Sequence, residues 1–170
     1  SGTATTTRAY ADALTGSPTR ILDTRKTIPG LRYAQKYAVR CGGGANHRMG
    51  LYDAVLVKEN HIAAAGGIEP AVRRLRKAQP TLQIEVEVET LNELEQALAA
   101  GADMVLLDNF SPAQTSAAVE LVAGRMKTEI SGNVELKSLA MLGALGADFI
   151  SVGALTKHVR AVDFSMLIRT

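Results

Sequence analysis

Residues 82–108 read LQIEVEVETLNELEQALAAGADMVLLD, and the fold class follows from how this stretch is parsed. From Ile84 to Glu89 apolar and acidic residues alternate. The two-residue period of a strand therefore sets Ile84, Val86 and Val88 on one face and Glu85, Glu87 and Glu89 on the other. Thr90, with Glu93 three residues later, forms a capping box ahead of Leu91, Leu94 and Leu98, so a helix begins there. Gly101 supplies its left-handed exit. The buried run Met104 to Leu107 follows and ends in Asp108. Strand, helix, strand in this order is a parallel pair joined by a helical crossover.

The same alternation extends in both directions. Apolar runs rich in Val, Ile and Leu occur at 20–23, 54–58, 82–89, 103–108, 126–131 and 148–153. Ser111, Pro112 and Gln114 mark another helix start, and Pro29 is expected to open a helix carrying Leu31, Ala34 and Ala38. A weak internal repeat links residues 97–108 (ALAAGADMVLLD) with 143–153 (GALGADFISVG), each running from a helix end through Gly-Ala-Asp and a buried strand to a polar tip. The expected fold is α/β, an open or incomplete β/α barrel with a mostly parallel sheet of about six strands, too few for a closed eight-fold barrel of about 250 residues. A doubly wound open sheet is the alternative, although no G-x-G-x-x-G follows the first strand.

Composition narrows the function. The 170 residues are 46% hydrophobic, with 19 basic against 17 acidic side chains and a formal charge of +2, ordinary values for a globular protein. A chain of this length buries roughly 70% of its unfolded surface, enough for one core, so residues 1–170 are expected to be a single barrel domain. No apolar run approaches the roughly 18–20 residues of a membrane helix, and residues 1–16 lack the layout of a signal peptide. The lone Cys41 can form neither an internal disulfide nor a thiolate zinc cluster. These features point to a cytoplasmic protein without a membrane partner. With 4% aromatic residues, no tryptophan and little net charge, nucleic acid is an unsuitable partner too. Charge is nonetheless segregated: residues 20–58 hold eight Lys or Arg against Asp23 and Asp53, whereas residues 81–110 hold seven acids and no base.

Sheets of this kind bind ligands at the carboxyl ends of their strands. Those ends carry Asp23, Thr24, Arg25 and Lys26 after the first run; Lys58, Glu59 and Asn60 after the second; Glu87 and Glu89 after the third; Asp108 and Asn109 after the fourth. Ser131, Gly132 and Asn133 follow the fifth, and Ser151 and Gly153 the sixth. In a barrel the apolar face of 84–89 meets helices, which turns the three acids inward. Like charges there need cations or a metal, and oxygen ligands of this type suit Mg²⁺ held partly by substrate phosphates. A solvated edge strand is the bland alternative for these acids. Arg25, Lys26, His47 and Arg48 sit at a strand tip or in the loop after the glycine run 42–44, where cations match an anionic substrate. Taken singly, any of the basic residues is as well explained by solubility, and His47, His61 and His158 by structure. The glycine turns at 131–133 and 152–154 precede helices, where backbone N–H groups make a phosphate site.

These residues fall in strings that closely resemble the quinolinate phosphoribosyltransferase (nicotinate-nucleotide pyrophosphorylase) family: LDTRKTIPG at 22–30, GGGANHR at 42–48, VKENHI at 57–62, EVEVE at 85–89, LDNF at 107–110, SGN at 131–133 and ISVGALT at 150–156. The resemblance extends over nearly the whole chain. It implies decarboxylating transfer of a phosphoribosyl group from phosphoribosyl pyrophosphate to quinolinate, with Mg²⁺, giving nicotinate mononucleotide, pyrophosphate and CO₂ in NAD biosynthesis. By motif, Thr24, Arg25, Lys26, His47, Arg48 and Lys58 surround the dicarboxylate and the pyrophosphate. Glu87 and Asp108 sit at ribose and metal, and Ser131, Gly132, Asn133, Gly153 and Ala154 hold the 5′-phosphate. Lys26, Lys58, Glu87 and Asp108 are the expected catalytic residues. The reaction needs no covalent nucleophile, only positioning and stabilisation of a cationic ribose and its departing pyrophosphate. The resemblance also implies a homodimer or higher homo-oligomer, and a further N-terminal α/β domain that lends an arginine to the neighbouring subunit's site. The sequence begins after that domain, so the isolated segment is expected to be weakly active or inactive. A related phosphoribosyltransferase for another pyridine or pyrrole acid, and a silent phosphate-binding module, remain as alternatives.

Overall fold

The structure is a computed structural model and describes residues 1–169. All six expected strands form: β1 (Arg20–Leu22), β2 (Val55–Val57), β3 (Ile84–Val88), β4 (Met104–Asp108), β5 (Lys127–Ser131) and β6 (Phe149–Ser151). They make one sheet in the order β1-β6-β5-β4-β3-β2, with every pairing parallel. Sequential neighbours around the sheet are the order of a barrel. A doubly wound sheet would reverse direction part-way, and this one does not. The sheet is open between β1 and β2. There residue 45 bridges to Leu22, through Ala45 N–H to the Ile21 carbonyl (2.8 Å) and Asp23 N–H to the Ala45 carbonyl (3.2 Å).

The helices are α1 (Gly2–Asp12), α2 (Arg32–Cys41), α3 (Glu59–Ala65), α4 (Ile68–Ala78), α5 (Leu91–Ala99), α6 (Pro112–Val122), α7 (Leu139–Gly143) and α8 (Ala154–Lys157). Both capping boxes read from the sequence are made: Thr90 Oγ1 accepts from Glu93 N–H, and Ser111 Oγ from Gln114 N–H. Ile84, Val86 and Val88 pack with Val105, Leu107, Leu94, Ala97, Val72 and Ala118 in the layer between sheet and helices. A second cluster joins Ile21, Ile130 and Ile150 to Val39, Leu139 and Leu155. The core thus lies outside the strands, and their other faces are left to line the mouth and interior.

Two expectations are corrected. Pro29 does not open α2, which begins at Arg32. Pro29 and Gly30 instead form a turn closed by Leu31 N–H to the Ile28 carbonyl (3.0 Å), and Gly30, at φ +77°, is outside the helical region. Nor do three acids of β3 point inward together. Glu85 is buried and Glu87 half-buried, but the strand ends at Val88 and Glu89 is exposed, its N–H donating to Glu93 at the start of α5. Helix α1 had no counterpart in the sequence reading.

Candidate active site

The carboxyl ends of the strands converge on one mouth. A cavity of about 670 Å³ there is lined by Thr24 and Lys26 after β1, Lys58 after β2, Glu87 of β3 and Asp108 of β4, with Ser131, Gly132 and Asn133 after β5 and Gly153 and Ala154 after β6. A second cavity of about 250 Å³ opens off it and shares Thr24, Lys26, Lys58, Glu87 and Ser131. It adds Arg25, His47 and Arg48. Every site residue named from the sequence therefore borders one of two adjoining spaces. Asp23, Glu59, Asn60 and Glu89, also read as tip residues, line neither.

The cationic side is held by its backbone. Thr24 Oγ1 accepts from Lys26 N–H (3.1 Å), the Arg25 carbonyl from Arg32 Nη2 (3.2 Å) and the Lys26 carbonyl from Thr156 Oγ1 (2.7 Å). Turn, α2 and α8 thus fix the loop and leave its side chains free to face the cavity. Arg25 Nε is buried without a hydrogen-bond partner, an unmet donor at an anion-sized space. Arg48 donates from Nη1 to the Ala54 carbonyl (3.3 Å), and burial, followed by the charge of Arg25, pushes its pKa down. A guanidinium whose charge is opposed by burial and by a neighbouring cation is stabilised by an anion placed beside it. Lys58 Nζ pairs with Glu87 across the mouth.

A buried network sets the loop 45–48. Asp23 and Lys36 form an ion pair with both side chains wholly inaccessible. The Asp23 carboxylate also accepts from Asn46 Nδ2 (2.5 Å) and His47 N–H (2.9 Å), while Lys36 Nζ donates to the His47 carbonyl (2.8 Å). Burial raises the Asp23 pKa and lowers that of Lys36, in each case against the pull of the partner. Asp23 is therefore a buried strut, not a ligand.

The His47 side chain reaches inward between Glu85, read from the sequence as an inward-facing acid, and Glu129, which the sequence reading did not name. Its Nε2 lies 2.9 Å from Glu85 Oε2 and 3.3 Å from Glu129 Oε2. Burial would lower the imidazole pKa, but Glu129 and Glu85 outweigh it and push it to about 10. Burial, with the Glu129 charge added and His47 opposing, raises Glu85 to about 7. Arg48 N–H lies 2.7 Å from His47 Nδ1, a contact that suits the neutral ring, whereas the two carboxylates favour the charged one; in both forms Nε2 carries a proton. Among the described residues these three form a group whose potential ligand atoms lie within 4.8 Å of one another. The Arg48 contact makes Nε2 a donor and so argues against a metal there. Glu87 and Asp108, on adjacent strands and lining one cavity, offer only oxygen donors, the chemistry of a Mg²⁺ site completed by substrate phosphates.

At the late strands the turn after β5 is tight. Asn109 N–H donates to the Ser131 carbonyl (3.0 Å), and Gly132 has φ +103°; a Cβ there would fall 2.2 Å from Asn109 Oδ1. Gly153 caps α8, a helix of only four residues. The cavity wall here is loop backbone more than a long helix. The same cavity is walled by Tyr10 of α1, Val134, Glu135, Lys157 and His158, none of them selected from the sequence. Glu129 carried a readable signal: Lys127, Glu129 and Ser131 share a strand face, and Ser131 had already been placed at the mouth.

An open parallel β/α sheet whose strand tips set cations, carboxylates and glycine turns around one cavity defines an α/β protein of the barrel type. The comparisons with known proteins identify which. The chain belongs to the quinolinate phosphoribosyl transferase, C-terminal domain family, matched over residues 3–167. It is 47% identical over 169 residues to the Mycobacterium leprae (strain TN) protein named nicotinate-nucleotide pyrophosphorylase [carboxylating], covering 98% of this chain and 60% of that protein. It is 42% identical over 189 residues to quinolinate phosphoribosyltransferase [decarboxylating] 1b of Nicotiana tabacum, covering 100% of this chain and 53% of that one. The solved nicotinate-nucleotide pyrophosphorylase of Francisella tularensis superimposes with a TM-score of 0.94 at 54% identity, over 96% of this chain and 58% of that chain. The chain thus spans between about half and three-fifths of the length of these relatives.

Proposed function

We propose that the chain carries the catalytic barrel of a decarboxylating phosphoribosyltransferase, joining quinolinate to phosphoribosyl pyrophosphate and releasing nicotinate mononucleotide, pyrophosphate and CO₂. One observation carries this reading: a small cationic cavity opens into a larger one through Lys26, Lys58 and Glu87. A dicarboxylate bound at Arg25 and Arg48 then presents its ring to a ribose held beyond. Arginine's planar fork gives each carboxylate two parallel hydrogen bonds. Glu87 and Asp108 stabilise the positive ribose of the transition state, and Lys26 and Lys58 the departing pyrophosphate. Ser131, Gly132, Asn133, Gly153 and Ala154 receive the 5′-phosphate. Mg²⁺ at Glu87 and Asp108, completed by substrate oxygens, would neutralise phosphate charge. The names of the relatives support both substrates.

No helix among the described residues is long and apolar enough to cross a membrane. We assign the protein to the cytoplasm, as a homodimer. The test is mass spectrometry of the products formed by the full-length protein from quinolinate, phosphoribosyl pyrophosphate and Mg²⁺. Nicotinate mononucleotide with one CO₂ per pyrophosphate is expected. Turnover of nicotinate in place of quinolinate, without CO₂, would assign a different acid, and no turnover of either would overturn the reading.

A further inference from the structure

The reaction proposed above, on which this inference rests, contains a step that the cations do not explain. When quinolinate becomes nicotinate, the carboxylate next to the ring nitrogen leaves as CO₂. The carbon–carbon bond breaks with its electron pair left on the ring carbon, where the adjacent nitrogen, now bonded to ribose and positively charged, stabilises it. That carbon must then gain a proton. Arginine does not supply one in proteins, Lys58 is tied to Glu87, and Lys26 is assigned above to the departing pyrophosphate.

The floor of the cationic cavity does offer one. Pairing in register places Glu87 of β3, Leu106 of β4 and Glu129 of β5 in one row, and all three line that cavity. The row below, Glu85 and Met104, lines a separate cavity of about 240 Å³. Among the described residues only His47 and Arg48 border both spaces. Glu129 is wholly buried, and neither of its carboxylate oxygens receives a hydrogen bond, so its 3.3 Å approach to His47 is a charge contact with both oxygens unspent. Isolated, such a carboxylate is costly in the interior, and its position at Nε2 is what it gains. The His47 backbone is itself fixed, its N–H donating to Asp23 and its carbonyl accepting from Lys36.

We propose that His47 donates its Nε2 proton to the ring carbon vacated by CO₂, and that Glu129 is the positioning residue that aims that N–H into the substrate cavity. Starting from the imidazolium that Glu85 and Glu129 favour, the new C–H bond takes the proton, the bond to nitrogen breaks with its pair left on Nε2 of a now neutral ring, and a solvent proton entering from the lower cavity restores the imidazolium. No oxidant or further reactant is required. Glu85, the nearer carboxylate at 2.9 Å, lines the lower cavity and not the substrate cavity, so of the two only Glu129 can draw Nε2 toward the substrate.

Single-turnover quench experiments on the full-length protein separate this step from the one before it. Pyrophosphate release reports ribosyl transfer, and nicotinate mononucleotide reports completed decarboxylation and protonation. In Glu129→Gln and in His47→Gln the ratio of the second rate to the first should fall about 100-fold, the usual worth of a positioned acid, while the dicarboxylated mononucleotide accumulates. Glu129→Asp should recover part of the ratio. A loss confined to binding or folding lowers both rates together and leaves the ratio unchanged, which would overturn the proposal, as would a comparable fall in Lys26→Met with His47→Gln unaffected. If Glu129→Gln does not fold, His47→Gln decides alone. Failure of the underlying reading is distinct, because the unmodified protein would then release no pyrophosphate.

Discussion

Replacing Lys36 with methionine keeps most of the volume of the side chain and removes its charge, in a place where neither Lys36 nor Asp23 touches solvent. Breaking a buried pair from one side costs about 3–5 kcal/mol, because the remaining charge is stranded. Asp23 would keep two donors, Asn46 Nδ2 and His47 N–H, which argues for the lower end, about 3 kcal/mol. For a protein of this size that corresponds to a melting temperature lower by roughly 6–12 °C. The sign of the pH dependence follows from Asp23, whose folded pKa burial has raised above its ordinary 3.8. A raised carboxyl adds stability below its unfolded pKa and loses it as pH rises through the folded value, more so without Lys36. The Lys36→Met deficit should therefore be larger at pH 7 than at pH 4. Urea unfolding followed by circular dichroism measures it, with Lys127→Met as the reference. That residue pairs with Asp148 at the surface, 60% and 30% exposed, and should cost under about 1 kcal/mol. A Lys36→Met loss no greater than the reference, or one that grows as pH falls, refutes the reasoning.

The His47 pKa, raised from 6.5 to about 10, adds stability that is fully present below about pH 6.5 and lost as pH rises through 10. The melting-temperature advantage of the unmodified protein over His47→Gln should shrink across that window; a constant difference would show that Glu85 and Glu129 do not hold the proton. Gly132→Ala meets both a φ of +103° and Asn109 Oδ1 at 2.2 Å, so the turn after β5 must shift. Affinity for phosphoribosyl pyrophosphate should drop at least tenfold with quinolinate binding retained, read by calorimetry. Arg25→Ala and Arg48→Ala should do the reverse, weakening quinolinate by roughly 10- to 150-fold, the worth of a charged hydrogen bond. Chelating Mg²⁺ should stop turnover and leave the melting temperature unchanged, since no backbone element hangs on Glu87 or Asp108.

What the sequence disclosed and what it hid differ in range. Strand faces and helix caps are written within a few residues, so IEVEVE and T-x-x-E could be read directly, and both are realised in β3 and α5. The tips could be read as a group because a parallel sheet sends every strand's carboxyl end to the same side. Lys36 could not. Nothing in RYAQKYAVRC distinguishes a lysine bound for a buried carboxylate 13 residues earlier from one bound for solvent, and lysine is rarely buried. Pro29 misled because proline suits a helix start and a turn equally, and only Gly30 beside it decides for the turn. Glu129 stood between the two cases: its face was legible by period two, but a tip-only search passed over mid-strand residues. Its partner His47 comes from the loop that spans the open edge between β1 and β2, which no strand pattern announces. The inner row of a barrel meets only when the sheet curls, so pairs made across it are a tertiary fact. That is why the polar tips at the rim, His47 among the residues named, could be read from the chain, while the approach of Glu85 and Glu129 to His47 beneath them required coordinates.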